Sequence, residues 1–212
     1  MQPESKLPQI GTTNFTVMSA LAERYDAINL SQGFPDFEPP ATLVDRVSHH
    51  MRHGHNQYPP MIGIEPLRRR IAEKMERLYG VGVDPDTEVT ISSGATEALF
   101  CAIHALVRAG DEVVVFDPAY DSYEPAVLLA GGSVAHLPLT PSTFRIDFDQ
   151  LAARLSSRTR LVIINTPHNP TGSLLYQNDL SRLAELLAPY PQCYVLSDEV
   201  YEHICFDPQG HA

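Results

Sequence analysis

The chain has 212 residues, 43% of them apolar and 19% charged, with a formal net charge of −11. That balance suits a globular fold with a sizeable core and argues against a nucleic-acid surface. No apolar run approaches the ~20 residues of a membrane span, and Met1-Gln2-Pro3-Glu4-Ser5-Lys6 lacks a signal peptide's apolar core.

In chain order, residues 1–12 read as an extended arm. Asn14 is predicted to cap a helix to about Tyr25, with Phe15, Met18, Leu21 and Ala22 on one face. Ala27–Leu30 is a brief extended run, followed by turn chemistry at Ser31-Gln32-Gly33-Phe34-Pro35-Asp36-Phe37. Pro39 or Pro40 opens a helix carrying Leu43, Val47 and Met51, which ends near Gly54. A loop from His55 to Met61 leads into a helix from Glu65 to Tyr79, stopped by Gly80.

From there strands and helices alternate. Strands are predicted at Glu88–Ile91, Glu112–Phe116, Ser133–Leu137, Leu161–Asn165 and Tyr194–Ser197. Helices are predicted at Thr96–Arg108, Ser122–Ala130, Asp147–Leu155 and Asp179–Ala188. This alternation implies an α/β fold, a mostly parallel sheet with helices on both faces. The change of organisation near residue 40 suggests an arm and small segment over 1–40, then a large domain over 41–212.

Four strand ends carry candidate chemistry. Ser92-Ser93-Gly94-Ala95-Thr96-Glu97 opens a helix where N–H groups and the dipole favour a phosphate; the plainer account is a capping box of Ser93 and Glu97. Tyr120 and Tyr123, after Asp117-Pro118, suit either stacking on a flat ring or simple packing. Asn165-Thr166-Pro167-His168-Asn169-Pro170-Thr171-Gly172 is a stiff turn, with an X-Pro bond that can be cis and an amide in Asn169 to offer a ligand oxygen. Asp198 closes an apolar run read as a buried strand. It either meets a positively charged partner or caps the next turn.

Other readings carry less. His49, His50, His53 and His55 have no carboxylate or cysteine at ligand spacing, so a solvated helix end is expected and no metal site is assigned. The odd-numbered thiols Cys101, Cys193 and Cys205 fit a reducing cytoplasm. Asp198-Glu199 is like a Walker B ending, yet Gly-x-x-x-x-Gly-Lys-Ser/Thr is missing, as is Gly-x-Gly-x-x-Gly after the first strand.

Together, Ser93-Gly94-Ala95-Thr96, Tyr120, Asn169-Pro170-Thr171-Gly172 and Asp198-Glu199-Val200-Tyr201 resemble the class I pyridoxal-phosphate aminotransferases. Leu30–Phe37 and Asn56-Gln57-Tyr58-Pro59 extend the likeness over nearly the whole chain, nearest to the methionine and aromatic aminotransferases of the kynurenine–glutamine type. The resemblance implies pyridoxal 5′-phosphate as cofactor. It places the phosphate on Gly94, Ala95 and Thr96, the ring against Tyr120, its 3′ oxygen on Asn169 and Tyr201, and its protonated nitrogen on Asp198. Tyr58 would reach the neighbouring subunit's phosphate in a homodimer, and Gly33 and Asn169 would meet the substrate. The implied reaction exchanges an amino group between an L-amino acid (methionine, aromatic or glutamine) and a 2-oxo acid. Cysteine-S-conjugate β-elimination and a non-catalytic fragment that binds a partner subunit are the alternatives.

One departure stands out. The family needs a Schiff-base lysine beyond the Asp-x-x-Tyr motif, whereas the lysines here are Lys6 and Lys74. The lysine is therefore expected after Ala212, the chain being the N-terminal part of an aminotransferase and without turnover by itself.

Overall fold

In the computed structural model, which describes residues 4–33 and 35–207, Thr12–Ser92 forms one unit, and Met1–Gly11 with Ser93–Ala212 forms another. Phe34 of the turn motif and Pro208 to Ala212 lie outside the described residues. In the first unit lie α1 (Asn14–Arg24), α2 (Ala41–Arg52) and α3 (Glu65–Tyr79). Thr13, one residue before the predicted cap, holds the start of α1 by accepting the Thr16 N–H at 3.3 Å. α2 follows Pro40, and α3 ends on Gly80 in the left-handed conformation, as its sequence predicts.

The predicted strand Glu88–Ile91 does not form: this stretch runs irregularly, and the Ile91 N–H donates to the Ile62 carbonyl. A strand requires a ladder, and among the described residues no strand lies beside this one. The run is held instead by local contacts. Gly63, at φ +95°, lets the backbone pass so close to Ile91 that a Cβ would collide with its side chain. Arg68 is buried nearby, donating to the Gly63 and Pro85 carbonyls and pairing with Asp86 at 3.0 Å.

The second unit contains α4 (Ala95–Leu106), β1 (Glu112–Asp117), α5 (Tyr123–Leu129), β2 (Ser133–Pro138), α6 (Phe148–Arg154), β3 (Thr159–Asn165), α7 (Gln177–Leu187) and β4 (Tyr194–Asp198). The strands form one parallel sheet in the order β2-β1-β3-β4. β1 and β3 are central and apolar on both faces, so their alternate residues feed two cores. Val114, Phe116, Val162 and Ile164 pack with Phe148, Leu151 and Leu183. Val113, Val115, Leu161 and Ile163 pack with Leu99, Ile103, Tyr123 and Val127. The α/β sheet with helices on both faces is the expected architecture.

β4 corrects one expectation. Its run is apolar, but Tyr194 and Val195 are about half exposed, at 50% and 45%. β4 is an edge strand with β3 as its neighbour, so only its end, at Asp198, is well buried.

Candidate active site

The register of β3 and β4 sets Asn165 opposite Asp198, at the carboxyl ends of both strands. Parallel α/β sheets present ligand sites there. Asn165 ties the two strand ends to the following loop. Its amide donates to the Asp198 carbonyl at 2.7 Å, and its side-chain oxygen accepts the Asn169 N–H at 2.7 Å. The Thr166 N–H donates to the same Asp198 carbonyl. Pro167 and Pro170, with their fixed φ, stiffen that loop, and the Thr166–Pro167 and Asn169–Pro170 bonds are cis.

Asp198 is 8% exposed. Oδ1 accepts the Val200 N–H at 3.3 Å, so the carboxylate does cap its own turn, while Oδ2 accepts the hydroxyl of Tyr123 at 2.6 Å. That second bond has the length of a charge-assisted O–H···O⁻ contact. Burial, and then the bond to Asp198, push the Tyr123 hydroxyl well above the usual phenol range, so it stays protonated and donates. Both of these donors to the Asp198 carboxylate are neutral.

Across from this carboxylate, α4 begins at Gly94, whose φ of +85° and ψ of 170° suit glycine. No side-chain hydrogen bond caps the helix. The reciprocal capping box considered for Ser93 and Glu97 is half realised: Glu97 accepts the Ser93 N–H, but Ser93 does not cap the helix. The first turn of a helix left in this condition attracts anions.

Tyr120 lies between the two. Its hydroxyl is 3.5 Å from Thr96 Oγ1, and its ring meets that of Tyr123 edge-on, with centroids 5.7 Å apart and planes at 76°. Ala95, Thr96, Tyr120, Asn169, Asp198 and Tyr201 thus line one cavity of about 260 Å³, with Leu99, Asn165 and Val200 completing its wall. Gly94 stands at the start of the helix that forms one side.

Gly33 and Tyr58 belong to the other unit. Gly33 is in an exposed loop, and Tyr58 is fully exposed. The histidine group is a helix end: the His49 and His53 rings stack at 4.0 Å, and His53 Nδ1 lies 2.6 Å from the His49 carbonyl oxygen. Among the described residues no group of three or more His, Cys, Asp or Glu has the arrangement of a metal site.

Two contributors take roles that sequence reasoning did not assign them. Asn165 reads as the last residue of a strand and the first of the stiff turn, and Tyr123 as a ring for stacking or for packing. Nothing in their spacing signals that each bonds Asp198, which lies 33 and 75 positions further along the chain.

The chain is similar to known proteins in sequence and in fold. The family model for aminotransferase class I and II matches residues 25–212. The methionine aminotransferase of Escherichia coli is 57% identical over 210 residues, which are 99% of this chain and 54% of that protein. The human kynurenine–oxoglutarate transaminase 1 is 35% identical over 90% of this chain and 48% of its own length. Among solved structures, an Escherichia coli protein with a methionine aminotransferase function superposes with a TM-score of 0.95, covering 100% of this chain and 55% of that one. The N-succinyldiaminopimelate aminotransferase of Mycobacterium tuberculosis gives 0.93 at 44% identity, over 99% of this chain and 55% of that structure. The chain spans about half the length of the curated relatives it matches.

Proposed function

Because the chain belongs to the class I and II aminotransferase family, we propose that it contributes the cofactor-holding half of a pyridoxal-phosphate-dependent aminotransferase. The carrying observation is the single cavity that joins a helix start without a side-chain cap, a tyrosine ring, an asparagine amide and a buried carboxylate. That donor set fits pyridoxal 5′-phosphate. Gly94, Ala95 and Thr96 would seat its phosphate, Tyr120 would cover its ring, Asn169 and Tyr201 would bond its 3′ oxygen, and Asp198 would hold its ring nitrogen. When bound, the cofactor supplies an electron sink for the carbanion formed at the substrate Cα.

The chain's own residues do the positioning. Asp198 keeps a negative charge beside the ring nitrogen, which favours the protonated, electron-withdrawing ring. Asn165 fixes the backbone of Asn169, so the amide of Asn169 is presented at a set height above the strand ends. Tyr120 limits the tilt of the ring.

The reaction is the exchange of an amino group between an L-amino acid and a 2-oxo acid. Methionine, aromatic amino acids and glutamine are the donors to test first, supported by the identity to a methionine aminotransferase. In this reading residues 1–40 serve as arm and small-domain segment and residues 41–212 carry the cofactor, in a cytoplasmic homodimer where Tyr58 and Gly33 serve the cofactor phosphate and the substrate. This reading needs a Schiff-base lysine other than Lys6 and Lys74.

The test compares the 212-residue chain with a form extended to include that lysine. The short chain should show no amino transfer. Borohydride trapping of cofactor on Lys6 or Lys74, together with turnover, overturns the assignment. In the extended form Asp198→Ala should reduce turnover on the order of 10² to 10³-fold; near-normal turnover removes Asp198 from its proposed role.

A further inference from the structure

We infer that Tyr123 is the positioning residue of Asp198, setting how firmly this carboxylate holds a cationic ring nitrogen; the inference rests on the reading of the site given above. Tyr123 is 4% exposed and is the first residue of α5, so its ring is fixed by helix and core together. Its neighbours there include Leu99, Val127 and Ile163. From this anchored ring the hydroxyl reaches Asp198 Oδ2 at 2.6 Å.

An ionised carboxylate this deeply buried requires donors on its oxygens. The Val200 N–H is a long partner at 3.3 Å and belongs to the same turn, so it moves with Asp198. Tyr123 is the partner from a different element, and it fixes the carboxylate against rotation. A hydroxyl bond to the carboxylate also stabilises its charged form, leaving the shared proton on the ring nitrogen instead of on Asp198. Tyr123 further touches the ring of Tyr120 edge-on at 5.7 Å. One side chain therefore braces both the face and the nitrogen edge of the cofactor seat. Tyr123 itself is not among the residues that line the cavity.

The test uses the full-length holoenzyme carrying pyridoxal phosphate labelled with ¹⁵N in its ring, and reads the nitrogen chemical shift by NMR. Y123F should move the shift toward the unprotonated position and weaken cofactor binding by roughly 10-fold or more, as expected for a lost charge-assisted bond. Fluorotyrosine at position 123, a stronger donor of nearly the same shape, should move the shift the opposite way. A packing role alone predicts no change in either variant. D198N, measured in parallel, separates the two ideas. If D198N moves the shift and both Tyr123 variants leave it at the wild-type value, Tyr123 is not the positioning residue although the site reading stands. If D198N also leaves it unmoved, the ring-nitrogen reading fails and the inference with it.

Discussion

A titratable ring in a dry place makes a pH-dependent contribution whose sign is set by which form is buried. His168, in the loop after β3, is 9% exposed, and its Nδ1 lies 2.8 Å from Thr171 Oγ1. Burial holds its pKa below the ordinary 6.5. Above that value folded and unfolded states both carry it neutral, and it adds no slope. As the pH falls below 6.5 the unfolded chain takes up a proton that the folded one refuses, so stability declines until the folded pKa is passed. His168→Gln removes this slope, because the amide does not titrate. Urea melts at about pH 7.5 and about pH 5 should show a smaller loss of midpoint for the variant than for the parent. Equal losses would show that His168 titrates normally. The same loop shows where sequence reasoning stops at this scale. Pro167, Asn169, Pro170 and Gly172 announce a rigid turn, because their backbone restrictions are local properties. The bond from Asn165 to Asn169 and the one from Tyr123 to Asp198 depend on side-chain direction across different elements, which local composition does not encode.

The elements carry the site because strands end where helices begin. α4 starts on a residue whose backbone, at φ +85° and ψ 170°, only glycine adopts without strain, and a Cβ built there meets nothing within 4 Å. The cost of Gly94→Ala is therefore conformational, about 1–3 kcal/mol, with no steric share. For a chain of this size that corresponds to a fall of a few degrees in Tm. If the substituted backbone rotates to relieve the strain, the N–H groups of the first turn rotate with it, so phosphate affinity should drop as well. Calorimetry and a cofactor titration check both halves, and an unchanged Tm with unchanged affinity would show that the helix start tolerates a side chain. Element type was readable over most of the chain: Glu65–Tyr79 is bounded by propensity and by Gly80, and β1 and β3 announce themselves as continuous apolar runs. One predicted strand does not form, and another forms where predicted but is less buried, for one cause. Glu88–Ile91 has strand composition without a neighbouring strand among the described residues, and Tyr194–Asp198 has the composition of a central strand at an edge. Composition reports what a segment can bury against, while the sheet decides whether it does.

At the scale of the molecule, the two compact units differ in how they treat apolar side chains. The sheet unit sends Val113, Val114, Leu161 and Val162 to zero exposure, whereas α1 and α2 contain no buried residue at all. Leu43, Val47 and Met51 recur at four-residue spacing on α2, 57%, 53% and 59% exposed, and Met18 and Leu21 on α1 are 47% and 38% exposed. An apolar helix face open to water calls for a covering surface, which either the other half of a full-length relative's polypeptide or a second subunit would supply, and a substitution on α2 tests the proposed homodimer. Introducing a charge into such a face opposes burial far more than it disturbs an exposed helix position. Val47→Glu should therefore shift the full-length protein from dimer to monomer in sedimentation velocity, with the far-ultraviolet circular dichroism unchanged. Cofactor binding discriminates further. If Tyr58, fully exposed within its own chain, reaches a partner's phosphate, then Tyr58→Phe should weaken cofactor binding in the dimer and have no added effect once Val47→Glu has separated the subunits. Additive losses from the two substitutions would place Tyr58 in its own subunit's site, and a dimer that survives Val47→Glu would place the interface elsewhere.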